Sequence, residues 1–160
     1  MILSAFTIFH VLISLIGIGS GFVVLYGFLV SDRLNRWTAI FLSTTAATSL
    51  TGFLFPFHGI TPGIVVGILS IIVLVFTYLA RYKFQMAGAW RRTYVITSLV
   101  ALYFNVFVLV VQSFQKIPAL KELAPTQTET PFKVAQITVL ILFLVLGTLA
   151  TRKFHDVATA

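Results

Sequence analysis

The chain alternates long apolar stretches with short polar breaks. Five stretches carry no charged residue and approach or exceed the roughly 20 residues that a helix needs to cross a bilayer. They cover residues 5–30, 37–57, 63–80, 93–114 and 134–151. This pattern predicts an all-α fold, a polytopic transmembrane bundle of five spans.

Charge or proline interrupts the apolar pattern at every break, as expected where membrane helices end. The breaks lie at residues 31–36, 56–63, 81–92 and 115–131. No Lys or Arg precedes the first stretch, which is therefore predicted to be a retained span rather than a cleaved signal peptide. No internal repeat or second domain is visible, so residues 1–160 are predicted to form a single integral membrane domain.

Composition supports a membrane environment. Hydrophobic residues make up 59% of the chain, charged residues make up 9%, and the mean hydropathy is +1.04. Soluble domains contain about 25% charged residues, so lipid is the predicted solvent. The net charge of +7 sits in short clusters between apolar runs, which is typical of basic loops facing lipid headgroups and gives no reason to expect a nucleic-acid partner.

The basic residues also predict an orientation. Counted by alternate sides of the five spans, eight Lys and Arg fall on one side and three on the other. By the positive-inside rule, this places the N-terminus outside and the C-terminus in the cytoplasm. Trp37 and Trp90 lie beside the basic clusters, where aromatic rings anchor at the headgroup level. We expect a multi-pass protein of the bacterial cytoplasmic (inner) membrane.

The connection over residues 115–131 is the longest one and is predicted to be an extracytoplasmic loop. It holds two of the four acidic residues, Glu122 and Glu129. Its segment from Pro118 to Leu123 fits one or two helical turns lying on the membrane, because proline suits a first helical position. A simple tether is the alternative, and in either form the loop is a candidate partner-facing surface.

Small residues line one face of several spans. Gly17 and Gly21 in the first span, and Gly63 and Gly67 in the third, are each spaced four apart. Such pairs let helix backbones approach closely, so they are interpreted as helix-packing positions.

Hydrogen-bonding residues concentrate at one depth. With the predicted orientation, the outer halves of the spans hold the polar residues that packing alone does not explain. These are His10, Thr51, His58, Asn105, Gln112 and Gln136. Buried polar groups in a membrane need partners or line a cavity, so this outer-half polar cluster is the candidate ligand-binding site. Phe53, Phe55 and Phe57 are candidate apolar walls.

His10 and His58 raise the question of a metal or cofactor. Two neutral imidazoles from adjacent helices could ligate a b-type haem or, less favourably, a metal ion. His58 is predicted at or beyond the end of the second span, whereas His10 lies about 8 Å inside the first. This mismatch in depth makes haem possible but not favoured, and the cofactor stays unknown.

Several functions are weakened by what the sequence lacks. There is no cysteine, and no Asp, Glu, Lys or Arg falls within a predicted span core. Thiol catalysis, thiolate metal sites, charge-based proton relays and voltage sensing are therefore not expected. Ser14 and His10 share a helix face, but no acid is placed to orient them, so we do not favour an enzyme and predict no catalytic residue.

Three functions then compete. The first is an accessory or assembly subunit that binds other membrane-protein subunits, or further copies of itself, among membrane lipids. The second is binding or transport of an apolar small molecule, such as a quinone or lipid, at an outer-leaflet site. The third is electron transfer through b-type haem. The small size and the absence of a catalytic set favour the first.

Overall fold

The computed structural model describes residues 2–155, and every regular element within that range is helical. Six helices follow one another along the chain. They are α1 (Ile2–Val30), α2 (Asn35–Gly52), α3 (Pro62–Tyr78), α4 (Ala89–Lys116), α5 (Pro118–Leu123) and α6 (Thr130–Lys153). The predicted all-α fold is confirmed for the described residues.

Four of these helices are long and apolar enough to cross a membrane. They are α1, α3 with its continuation to Lys83, α4 and α6. Their outward surfaces carry large exposed side chains such as Ile8, Ile72 and Leu144, which is the arrangement expected where lipid is the solvent. The structure thus supports an integral membrane protein with four candidate spans.

The predicted second span differs from the other four. It corresponds to α2, in which seven of 18 residues are Ser or Thr, and its helix ends at Gly52 rather than at residue 57. The buried positions of α2 include Thr38, Thr45 and Ser49. Its polar side faces neighbouring helices, so the apolarity that identifies a lone membrane helix is absent.

The first four helices form a closed ring in which α1 contacts α2, α2 contacts α3, α3 contacts α4, and α4 contacts α1. Helix α6 packs in the groove between α1 and α4. Close approach occurs at Gly21, where an added Cβ would lie 2.5 Å from Leu102 on α4 and 3.0 Å from Phe41 on α2. Helix α4 is therefore the central element of the bundle.

Helices α1 and α2 run side by side for almost the whole length of α2. Near one end Gly27 faces Leu34, in the middle Gly17 faces Thr44, and near the other end His10 bonds Thr51. These contacts define two ends of the bundle, named here the Arg81 end and the His10 end. Chain connections 31–34 and 84–88 lie at the Arg81 end, and connections 53–61 and 117–129 lie at the His10 end.

The third predicted span extends beyond residue 80. Residues Leu79–Lys83 form a π-helical turn that continues α3, and this turn carries Arg81 into the protein interior. The sequence pattern assigned Arg81 to a headgroup-facing connection, but the side chain is only 6% exposed. Wider π turns reorient side chains relative to a regular helix, and they occur frequently at functional sites.

The connection between α4 and α6 is ordered by short-range hydrogen bonds. Of the two predicted forms, helix or tether, the structure forms the helix over Pro118–Leu123. Gln127 Nε2 donates to the Val111 carbonyl at 3.0 Å, which fastens the loop to α4. Thr126 Oγ1 donates to Glu129 Oε1 at 2.7 Å just before α6 begins, and the hydrogen bonds from Thr126 and from backbone amides lower the pKa of the Glu129 carboxyl.

Candidate functional site

A cavity of about 700 Å³ opens at the His10 end of the bundle. Its walls come from α1, the last turn of α2, the connection 53–61, the first half of α3 and the last half of α4. Its size falls in the range of small-molecule sites, which span about 300–1,000 Å³.

Most of the predicted outer-half polar cluster reaches this cavity. His10, His58, Asn105 and Gln112 line it directly. Thr51 is hydrogen-bonded to His10, one step behind the lining. Gln136 does not line the cavity. It lies between α4 and α6, where its Nε2 donates to the Phe107 carbonyl at 3.3 Å.

His10 is held in place by contacts from two directions. Its Nδ1 lies 2.8 Å from Thr51 Oγ1 on α2. Its ring also meets Phe55 edge-on, with ring centroids 5.0 Å apart, and Phe55 in turn packs on Phe6 at 4.9 Å. A polar ring fixed by one hydrogen bond and one aromatic contact has a defined orientation at the cavity wall.

Asn105 joins three helices. Its Nδ2 donates to Thr45 Oγ1 on α2 at 3.1 Å, and a Cβ added to Gly17 on α1 would lie 3.7 Å from the same nitrogen. The Asn105 side chain therefore has a packing role at the α1, α2 and α4 junction in addition to its place in the cavity lining.

Two further polar groups at the cavity have no protein partner. Thr48 Oγ1 is buried and makes no hydrogen bond to any described residue. The Gln112 amide likewise has no hydrogen-bond partner within residues 2–155, although the side chain is partly buried. An unpaired buried atom such as Thr48 Oγ1 costs roughly 1–3 kcal/mol, so a ligand that pairs with it would bind more tightly, and the partly buried Gln112 amide offers a second unused partner.

The rest of the lining is mostly apolar, but it also contains a single cationic side chain and six Ser and Thr residues, namely Thr7, Ser14, Ser49, Thr61, Ser70 and Ser113. Phe53, Phe55 and Phe57 all line the cavity, and the Phe53 ring lies against Gly67, where an added Cβ would meet it at 3.0 Å. Among residues 2–155, Lys116 is the one formally charged lining residue, and no Asp or Glu of that range lines the cavity. This composition suits a neutral or anionic hydrophobic molecule and disfavours a cation.

The glycines that the sequence singled out differ in their surroundings. Gly17 and Gly21 are buried and face α2 and α4, whereas Gly67 faces Phe53. Gly63 has only Thr61 Oγ1 within 4 Å of an added Cβ, at 3.8 Å. Close helix approach is thus concentrated on α1.

The two histidines of the predicted metal or haem site both reach this cavity. His10 and His58 line the same cavity, with His10 partly buried in α1 and His58 exposed in the connection 53–61. Among the described residues there is no group of three or more His, Cys, Asp or Glu that could hold a metal ion.

The Arg81 end contains a cluster of hydrogen-bonded side chains that the sequence pattern did not identify. Arg81 Nη1 donates to the Tyr94 hydroxyl at 2.9 Å, and Nη2 donates to Asn35 Oδ1. The Tyr94 hydroxyl lies 3.5 Å from Thr38 Oγ1, and the guanidinium carbon is 5.1 Å from the Tyr94 ring centroid. The only sequence signal was the position of Arg81 immediately after a span, which predicts exposure equally well.

The C-terminal segment closes the same end. Phe154 is fully buried and packs on Phe28, with ring centroids 5.1 Å apart. Ser31 Oγ donates to the His155 carbonyl at 2.6 Å, and Arg91 donates to the Phe154 carbonyl. The Arg81 end is therefore packed and hydrogen-bonded, while the cavity lies at the other end.

A second, more apolar groove of about 480 Å³ lies between α4 and α6. Its lining includes Leu99, Tyr103, Phe143 and Gly147. With few polar groups, this groove offers little that could orient a specific ligand.

Comparison with models of known protein families, with characterised proteins and with solved structures finds no match to this chain.

Proposed function

We propose that this protein is an integral membrane protein that binds a hydrophobic small molecule in the cavity at its His10 end. The observation that carries the proposal is the pairing of apolar walls with unpartnered polar groups, chiefly the buried Thr48 Oγ1 and the partly buried Gln112 amide. Apolar area supplies affinity in such sites, and a few polar groups fix orientation. Asn105, His10 and His58 would supply further hydrogen bonds.

The proposed arrangement has five spans, with the N-terminus outside. Helix α2 contains 18 residues, which corresponds to about 27 Å at 1.5 Å per residue and approaches the hydrocarbon thickness. It lies alongside α1 over this length and is covered by α1 and α3, so its polar side need not face lipid. Eight basic residues against three favour a cytoplasmic Arg81 end, and the proposed location is a bacterial inner membrane.

The chain allows a direct test of this topology because it contains no cysteine. Single variants Ile60→Cys and Gln85→Cys place a thiol on the two opposite ends, at exposed positions. In intact cells, a membrane-impermeant maleimide is expected to label Ile60→Cys and to spare Gln85→Cys until the membrane is broken. The reverse pattern, or equal labelling of both, would contradict the proposed topology.

Ligand binding is tested with the purified protein in lipid nanodiscs. Native mass spectrometry is expected to show a retained molecule, and a panel of a short-chain benzoquinone, a monoacylglycerol and a sterol should include a compound that raises the melting temperature. Gln112→Leu should weaken binding several-fold, because the amide has no protein partner and remains for the ligand. Gln136→Leu is the matched control, since Gln136 lies on the α4 and α6 seam.

Two results would overturn ligand binding. One is a protein that carries no molecule and is stabilised by no member of the panel. The other is equal binding by wild type and Gln112→Leu for every compound that stabilises the protein.

The same sample separates a haem ligand from the others. Both histidines line the cavity, and a b-type haem held by them would give a strong visible absorbance with a Soret band. A colourless protein obtained from cells grown with ample haem would exclude this ligand while leaving a colourless one in place.

An accessory or assembly subunit is the second candidate function. The exposure of helix α6 favours this function. Only 11% of the residues in the apolar stretch of α6 are buried, against 39% in that of α4. A partner subunit could cover this face. Crosslinking from α6 in native membranes should then capture a membrane protein, whereas a monodisperse monomer with no crosslinked partner would contradict the accessory function.

A further inference from the structure

The two nitrogens of the His10 ring are distinguished by the hydrogen bonds of Thr51. Thr51 Oγ1 lies 2.7 Å from the Ala47 carbonyl and 2.8 Å from His10 Nδ1. A hydroxyl has one proton to give, and a carbonyl can only accept. The Thr51 proton is committed to its own helix, so the Thr51 oxygen accepts from His10, and Nδ1 carries the hydrogen.

This assignment leaves Nε2 as a hydrogen-bond acceptor. In a neutral imidazole only one nitrogen is protonated, and the bond made by one nitrogen fixes the role of the other. Nε2 has no hydrogen-bond partner in the part of the chain that the structure describes. Because His10 lines the cavity, the ring contributes an acceptor to the site rather than a donor.

The charge around the cavity keeps the ring in this form. No carboxylate of the described part of the chain lines the cavity to stabilise an imidazolium, and Lys116 places a positive charge in the same lining. The neighbouring Phe55 edge adds an apolar contact to the ring. A neutral hydrogen-bond acceptor in an apolar wall favours a ligand that carries a hydrogen-bond donor.

We propose that the ligand of this cavity carries a hydroxyl group on a hydrophobic body and donates its proton to His10 Nε2. This inference rests on the proposed function and specifies its ligand class, an alcohol, phenol or quinol rather than a ketone, quinone or ether. Thr51 acts as a positioning residue, because it reaches the ligand only through the His10 ring. Phe53 and Phe57 would cover the hydrophobic body.

The test compares each hydroxyl probe with its own methyl ether, which keeps the shape and removes the donor. One pair is 4-nonylphenol and 4-nonylanisole, and the other is 1-dodecanol and its methyl ether. Dissociation constants are measured by calorimetry in nanodiscs. In at least one pair the wild type is expected to bind the hydroxyl compound about 5- to 10-fold more tightly, the effect of one buried hydrogen bond. The pair that shows this preference identifies an aromatic or an aliphatic ligand.

Variants at Thr51 test the positioning role. Thr51→Val removes the acceptor for Nδ1, so the hydroxyl preference should fall to about twofold or less. Thr51→Ser should restore it. Thr44→Val is the matched control on the same helix, because the Thr44 hydroxyl donates to the Ile40 carbonyl. Imidazole ¹⁵N chemical shifts provide a readout independent of binding, with Nδ1 protonated in wild type and in Thr51→Ser.

The outcomes separate this inference from the function on which it rests. Equal affinity for hydroxyl compound and ether in both pairs would overturn the hydroxyl class while leaving a ligand-binding protein. An unchanged preference in Thr51→Val, or a wild-type ring protonated at Nε2, would overturn it as well. Failure of all four probes, together with the wider panel, to bind would overturn both proposals.

Discussion

Two sets of polar side chains, one at each end of the bundle, differ in whether they bond to one another. At the Arg81 end, hydrogen bonds join helices α2 and α4 to the π turn through Arg81, Tyr94, Asn35 and Thr38. At the His10 end, Thr48 and Gln112 meet a cavity without a partner among the described residues. Polar groups that satisfy one another rigidify a structure, whereas unsatisfied ones add cost until something binds.

With the proposed ligand site at the His10 end, the contrast assigns stability chiefly to one end of the bundle and binding to the other. The Arg81 end also holds the buried Phe154 and the bonds from Ser31 and Arg91 to the C-terminal segment. We therefore expect substitutions of the bonded polar groups at this end to lower stability, and substitutions of the unpartnered groups at the His10 end to change binding without lowering stability.

The largest effect is expected at Arg81. Arg81→Leu would leave the Tyr94 hydroxyl and Asn35 without their donor, and should lower the free energy of unfolding by about 3 kcal/mol. Arg92→Leu removes the same charge at an exposed position and should change it by less than about 0.5 kcal/mol. Unfolding in mixed micelles measures both free energies. Similar decreases in the two variants would mean that the hydrogen bonds of Arg81 do not stabilise the bundle.

A smaller effect is expected from glycines at the two ends. A Cβ on Gly27 would lie 2.7 Å from the Asp32 carbonyl oxygen, a backbone atom. Gly27→Ala should therefore cost about 2 kcal/mol by overpacking. Gly63→Ala at the other end meets only Thr61 Oγ1 at 3.8 Å, and its melting temperature should equal that of wild type. If Gly63→Ala lowered the stability as much as Gly27→Ala does, the inferred difference in packing between the two positions would be wrong.

Two threonines of α2 sharpen the comparison within one turn of helix. Thr45 is fully buried and accepts a hydrogen bond from Asn105, so Thr45→Val should lower the free energy of unfolding by about 1 kcal/mol. Thr48 Oγ1 is buried without a described partner, so Thr48→Val removes the cost of an unpaired hydroxyl and should raise the free energy of unfolding by about 1 kcal/mol without ligand. The reverse order would contradict the unpaired state of Thr48.

The smallest effect concerns pH and the exposed loop at the His10 end. Hydrogen bonds hold the Glu129 pKa below its usual range. Their contribution to loop order is therefore present above the usual carboxyl pKa and is lost only as pH falls through the lowered value. The amide chemical shifts of Thr126 and Thr128 should follow this titration by NMR, and Glu129→Gln should abolish it. Titration at or above the usual Glu value would contradict the bonded geometry.

Much of the fold follows from the sequence because lipid imposes a simple rule on apolar length. The positions of α1, α3, α4 and α6 agree with stretches that lack charge. The end of α2 was predicted five residues too late, because Phe53 to Phe57 continue the apolar run after the helix has ended. Residues before proline disfavour helix, and Pro56 was the available signal.

The candidate site was predictable in depth but not in direction. His10, Asn105 and Gln112 share one end because the helices alternate in direction, which a span count provides. Gln136 has the same predicted depth, yet it lies on another seam, because α6 packs on α1 and α4. Which helices are neighbours depends on side-chain packing over the whole bundle, as does the burial of Arg81 by a π turn.

Helix α2 has a consequence for how the protein is made. Its seven Ser and Thr residues give it little tendency to enter lipid alone, while its partner α1 is strongly apolar and is synthesised first. In the five-span arrangement, α1 must stay beside the insertion machinery until α2 emerges, so that the pair enters the bilayer as a hairpin. Thr and Ser at that seam thus make biogenesis depend on the order of synthesis, and a circularly permuted chain that delivers α2 before α1 should insert poorly.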